Sequence, residues 1–207
     1  MPPAVGRVES VAFDPERWKP EYPNPAFRNL REDDAYWAAK IVARFSDATI
    51  RRIVEKARYS DPRATDYVTQ TVIERRDKVL RAWLNGVLPV DDLRLSASGE
   101  LTFVNTAVSL GITTPPARYL VMWHHFDNVT GEQHPVTDEL VVPEEGARLP
   151  PELADADFVA LSLRAVHPDH AGWRRLTNVY FRRSGDGWQT VGIERMGELP
   201  VGATRTR

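Results

Sequence analysis

The stretch Trp83-Leu84-Asn85-Gly86-Val87-Leu88-Pro89-Val90-Asp91-Asp92-Leu93-Arg94-Leu95 marks a change in the pattern of the chain. Upstream of it, apolar residues recur every three or four positions, the spacing of one helical face. Downstream they alternate, the spacing of one strand face. Gly86 and Pro89 sit at the change, and neither suits a helix interior. The expected fold class is therefore α+β in separate units, an N-terminal three-helix unit followed by an antiparallel β-sandwich-like domain. The expected divisions are a proline-rich aromatic arm at residues 1–30, a helical unit at 31–88, a β domain at 89–199 and a flexible tail at 200–207.

Working back from the boundary, Ala64, Val68, Val72, Val79 and Trp83 fall along one face of a long helix. Ser60 or Asp61 can cap that helix and Pro62 suits its first turn. Arg75 and Arg76 interrupt the stripe; the expectation is that their stems pack while their heads reach solvent, with Glu74 and Asp77 moderating the charge. Ile50, Ile53, Val54 and Ala57 make a second helix, capped by Ser46-Asp47. Ala35, Ala38, Ile41, Val42 and Phe45, with Trp37 beside them, make a first one over 32–45. Asp33 and Asp34 stand where a first helical turn favours negative charge.

Working forward, Leu93 and Leu95, a Ser98-Gly99 turn, then Leu101 and Phe103 read as a hairpin. Further strands are expected at Tyr119–Phe126, Asp157–Val166, Leu176–Arg182 and Trp188–Arg195, the last two joined by Ser184-Gly185-Asp186-Gly187. Residues 143–151 read as a loop containing the Glu144-Glu145 pair, and Asp91-Asp92 marks the domain junction.

Composition narrows the function classes. The 207 residues are 42% hydrophobic and 27% charged, ordinary for a folded globular chain. A net charge of -2 gives no general attraction to nucleic acid or to anionic lipid. No stretch is apolar enough to span a membrane, and the first residues lack the apolar core of a signal peptide. With no cysteine, thiolate metal sites and cysteine nucleophiles are excluded. There is no glycine-rich phosphate loop, nucleophile elbow or HExxH run.

All five histidines lie in the β domain. His167-Pro168-Asp169-His170 would offer two imidazoles on one loop, with His124, His125 or Asp127 completing a metal shell; this supports a metal-assisted hydrolase as an alternative function. The competing expectation places one of His124 and His125 in the core and the other at the surface, and His167 and His170 in a polar loop. Among the tryptophans, Trp123 is expected to be buried beside Val121, and Trp173 to be exposed. Trp123, Trp173 and Trp188 would otherwise support a second alternative, a carbohydrate-binding sandwich. The arginine pairs 51–52, 75–76, 174–175 and 182–183 read as solvated or salt-bridged surface. Finally, Phe13, Trp18, Tyr22 and Phe27 in a proline-rich stretch point to an arm packed against something, either the following helices or a partner.

The run Phe13-Asp14-Pro15-Glu16-Arg17-Trp18-Lys19-Pro20-Glu21-Tyr22-Pro23-Asn24-Pro25-Ala26-Phe27 resembles the C-terminal part of large bacterial proteins that contain an atypical kinase-like region. The likeness continues through Asp34-Ala35-Tyr36-Trp37-Ala38-Ala39-Lys40, Tyr59-Ser60-Asp61-Pro62 and Arg75-Arg76-Asp77-Lys78, and more loosely through Trp123, Asp127-Asn128 and Val191–Arg195. The Asp-Phe-Gly motif of the kinase-like region has no counterpart here. The resemblance therefore implies an accessory part with no catalytic residue and no cofactor. The expected function is a non-catalytic binding module whose partner is a protein or the missing upstream domain, with the residues of the arm as its docking segment.

Overall fold

The computed structural model describes residue 2 and residues 5–142 and 146–197. The Glu144-Glu145 pair and the tail at 200–207 lie outside the described residues. The chain is mixed α and β with antiparallel sheets, and it divides into two compact units, residues 1–84 and 85–207.

The first unit carries α1 (Pro25–Arg28), α2 (Glu32–Ala43), α3 (Asp47–Glu55) and α4 (Pro62–Trp83). Local chemistry sets their ends. Ser46 Oγ accepts from the Thr49 amide at 3.2 Å to start α3, and Asp61 Oδ1 accepts from the Arg63 amide at 2.9 Å to start α4 with Pro62 in its first turn. Glu32, Asp33 and Asp34 fill the first turn of α2, where the helix dipole favours them. Both α2 and α3 pack against α4.

The helical spacing is present, but the buried faces are turned from the expected ones. In α2 the buried residues are Ala35, Tyr36 and Ala39, whereas Trp37 and Ile41, and Phe45 just beyond the helix, are exposed. In α4 Ala64, Thr69, Thr71 and Leu80 are buried, whereas Val72 is exposed. The heads of the two interrupting arginines do not simply reach solvent. The Arg76 side chain is 14% exposed and is held by Asp47 and Asp77, each at 2.7 Å, and by the Phe45 carbonyl at 2.8 Å. Arg75 donates to the Glu9 carbonyl at 2.6 Å and lies over the Phe13 ring at 5.0 Å.

The second unit opens with the hairpin β1 (Val90–Leu95) and β2 (Leu101–Asn105), followed by the single turn α5 (Thr106–Ser109). Gly99, at φ 76°, makes the hairpin turn, and Asp92, at φ 54°, makes a bulge in β1 that its own carboxylate braces by accepting from Arg94. The larger sheet has six strands: β3 (Arg118–Phe126), β4 (Gln133–Pro135), β5 (Leu140–Val142), β6 (Phe158–Val166), β7 (Leu176–Ser184) and β8 (Gly187–Gly197). Its order is β4-β3-β6-β7-β8, with β5 sharing the outer edge of β3.

Alternation assigns the faces of this sheet. Val121, Trp123, Leu161, Leu163, Val179 and Phe181 point to one side and are fully buried. Each such burial contributes about 1.5–3 kcal/mol, so this layer is the principal stabiliser of the unit. The register pairs Met122 with Ser162 and Ser162 with Asn178, which puts His124, Ser162 and Asn178 together on the opposite side.

Candidate functional site

The five residues proposed as a metal shell do not come together. Among the described residues no group of three or more His, Asp or Glu side chains is placed to hold a metal ion. Adjacent positions on β3 send His124 and His125 to opposite faces, so His124 is fully buried and His125 exposed. Asp127 is occupied as a turn residue, accepting from the Val129 and Thr130 amides at 2.7 and 3.0 Å, which holds its carboxyl below the usual range.

The His124 ring spans the sheet instead. Ser162 Oγ donates to Asn178 Oδ1 at 2.8 Å, so His124 Nε2 donates to Ser162 Oγ at 2.9 Å, and Nδ1 is left without a hydrogen-bond partner. Burial lowers the His124 pKa to about 4, so the ring is neutral across the ordinary range. No carboxylate lies behind this imidazole among the described residues, and Ser162 as a whole is only 2% exposed. The file is a cross-strand polar core and not a nucleophile-base pair.

His167 and His170 depart from the expected polar loop, and Trp173 from the expected exposure: His167 and Trp173 are buried. The two imidazoles stack at 4.4 Å, and each lies 4.8 Å from the indole. His167 Nδ1 accepts from the Asp169 amide at 3.1 Å, so Nε2 carries the proton and donates to the Thr114 carbonyl at 3.2 Å. His170 Nε2 meets Thr113 Oγ1 at 2.8 Å. Burial and the neighbouring His167 lower the His170 pKa. The cluster closes a loop onto the segment before β3.

The four arm aromatics fall into two groups. Residues 8–13 are pinned along α4: Tyr67 donates to the Val8 carbonyl, Ser10 donates to Glu74, and Lys78 Nζ donates to the carbonyls of Ser10, Val11 and Phe13 at 2.7, 3.1 and 3.0 Å. Phe13 is thereby held under Arg75. Farther on, Trp18 and Phe27 pack on each other at 5.4 Å while each stays half exposed, and Tyr22 is 80% exposed.

The same unit carries a feature that hydrophobic spacing alone did not distinguish from core. Val42 from the end of α2, Phe45 from the link that follows it, Ile53 and Val54 from α3, and Val72 and Val79 from α4 line an open apolar groove of about 380 Å³. Ile50 closes its floor and is buried, whereas Phe45, Ile53 and Val72 remain 43%, 55% and 36% exposed. All five exposed Phe, Tyr and Trp side chains among the described residues belong to this unit.

Charge over this part of the sequence is uneven. Residues 40–58 hold six cations and two carboxylates, in a chain whose net charge is -2. Asp47 is engaged by Arg76, and Glu55 by Arg51, which also pairs with Asp66 at 2.8 Å. Arg44, Arg52, Lys56 and Arg58 are exposed and make no ion pair among the described residues. No helix among the described residues is long and apolar enough to cross a membrane. No family model, curated protein or solved structure matches the chain.

Proposed function

We propose that this chain is a non-catalytic interaction module, three principal helices joined to a sandwich-like β domain, and that its helical unit docks an amphipathic helix bearing acidic residues. The observation that carries this reading is the open apolar groove between α2, α3 and α4, in a stretch of the chain with an excess of exposed cations. Exposed apolar surface concentrated in this way on one unit is characteristic of a docking site. An amphipathic helix laid into such a groove buries anchors at successive turns, and the excess of positive charge over residues 40–58 would favour acidic residues on its polar face.

The arm supports the same reading, because Arg75 both lines the groove and holds Phe13. Trp18, Tyr22 and Phe27 then extend the apolar surface beyond the pinned segment. The resemblance of residues 13–27 to the accessory part of kinase-containing proteins favours the kinase-like region as the source of the partner helix.

The test is fluorescence anisotropy with a labelled helical peptide that carries leucines at i, i+3, i+4 and i+7 and glutamates on either side. Binding in the micromolar range is expected, roughly tenfold or more weaker in Ile53→Asp and weakened by salt. Failure to bind, or equal binding of the same peptide with lysines in place of the glutamates, refutes the proposal.

A further inference from the structure

The β unit holds a second concavity, of about 510 Å³, where the outer face of the β1–β2 hairpin meets the start of β8. Its volume falls within the ~300–1,000 Å³ of small-ligand sites. Thr190 Oγ1 donates to the Leu93 carbonyl at 2.7 Å, so the two walls are tied together and the cleft exists without a ligand to form it.

Trp188 is the one aromatic lining residue. It is half-buried because Arg183, anchored to the Ala156 carbonyl at 3.2 Å, lies over its ring at 4.6 Å. That cation fixes the indole, which also lines the cleft. The polar lining mixes donors and acceptors. The Glu100 carboxylate makes no ion pair among the described residues and offers acceptors only. Gln189 spends its carbonyl on Arg182 at 3.1 Å, which leaves its amide N–H groups to donate. Thr102 supplies a hydroxyl, and Arg94, braced by Asp92 at 2.8 Å, supplies further N–H groups.

This set discriminates among ligand classes. Arg94 and Glu100 cancel in formal charge, so nothing in the lining selects a phosphate or a polycation. The hydrogen-bonding groups among the otherwise apolar lining disfavour a purely apolar ligand, which would leave them unpaired. A pyranose fits both requirements: its C–H face packs on an indole while its hydroxyls donate to a carboxylate and accept from an amide and a guanidinium. The cleft is open, which suits an internal unit of a chain rather than an enclosed monosaccharide.

We infer that the cleft between β1–β2 and β8 binds a neutral oligosaccharide, with Trp188 as the stacking platform and Glu100 and Gln189 as hydroxyl partners. This site is independent of the helix-docking groove. The experiment titrates the ¹⁵N-labelled full chain with cellohexaose, laminarihexaose, xylohexaose, maltohexaose and chitohexaose, following the Trp188 indole N–H. At least one is expected to shift that resonance with sub-millimolar affinity. Trp188→Ala should weaken binding by roughly tenfold or more and Glu100→Gln by several-fold, while Ile53→Asp should leave it unchanged. Glu100 is exposed, so its variant keeps the test decisive if Trp188→Ala fails to fold. Silence across the panel at millimolar concentration, binding unaffected by Glu100→Gln, or a preference for oligogalacturonate over the neutral sugars would overturn the inference.

Discussion

Acidification should loosen the β unit well before its carboxylates titrate, and His124 is the reason. The ring is fully buried, and its charged form is disfavoured enough to bring its pKa to about 4, against an ordinary value of 6.5. In the unfolded chain the same imidazole takes up a proton near pH 6.5. Between these two values the unfolded state therefore binds more protons than the folded one, and stability falls as pH falls. Stability is fully present above pH 6.5, and the loss is complete below about pH 4. At pH 4.5 the two titrations give a loss on the order of 2–3 kcal/mol relative to neutral pH.

The lowered pKa of His170 adds to the loss in the same direction. The carboxyl of Asp127, held low by its turn, contributes only at more acidic pH. Native-state hydrogen exchange of the β6 amides, corrected for the intrinsic pH dependence of exchange, reads the opening free energy of this unit directly. The wild-type chain should lose protection between pH 6.5 and 4.5. In His124→Gln, whose amide can still donate to Ser162, most of that loss should disappear. If protection in the wild type is flat across this interval, or if the variant loses as much as the wild type, the buried neutral imidazole is not the acid-sensitive element.

Other perturbations follow from the helical unit and from the loop at Trp173. Arg76→Ala leaves Asp47, Asp77 and the Phe45 carbonyl without their shared donor and should cost about 2–3 kcal/mol, read as a lowered urea midpoint with an unchanged slope. Lys78→Met removes three bonds to the arm, so trypsin should cut after Arg17 several-fold faster while circular dichroism stays the same; an unchanged cutting rate would mean that Lys78 does not hold the arm. At Gly172 an added Cβ would stand 2.7 Å from the Gly86 carbonyl oxygen, a backbone atom with little room to yield. Gly172→Ala should therefore destabilise by about 1–3 kcal/mol in thermal unfolding, and a neutral result would contradict the close approach.

Much of the architecture is readable from residue order, because strand and helix periods are local. Val121 with Trp123, and Leu161 with Leu163, mark two central strands of the large sheet by alternation alone. Ser46, Asp61 and Pro62 mark helix starts by cap chemistry. β4 and β5, at three residues each, are too short to show a period, and only the edge of β3 makes them strands. Spacing identified the helices but not which side of each is covered. Ile41, Phe45 and Val72 carry the same periodic signal whether a neighbour covers them or a groove leaves them open.

Long-range partners explain the remaining differences. Arg75 and Arg76 read as surface because Glu9, Phe13 and Asp47 approach them only after the helices pack. His167 and Trp173 read as loop residues because Thr113 and Thr114, which close over their cluster, lie far away in the chain. The Trp188 cleft needed two hairpins to meet, and the residue order offered only the tryptophan.

Methyl-labelled isoleucine and valine spectra, recorded with a soluble paramagnetic agent before and after adding the glutamate-flanked peptide, probe the helical groove most directly. The free chain should show strong relaxation at Ile53 and Val72, and the peptide should suppress it there and shift Val79, leaving Val121 and Val179 unmoved. Methyls of Ile53 and Val72 already shielded in the free chain, or a relaxation pattern that the peptide does not change, would contradict an open docking groove.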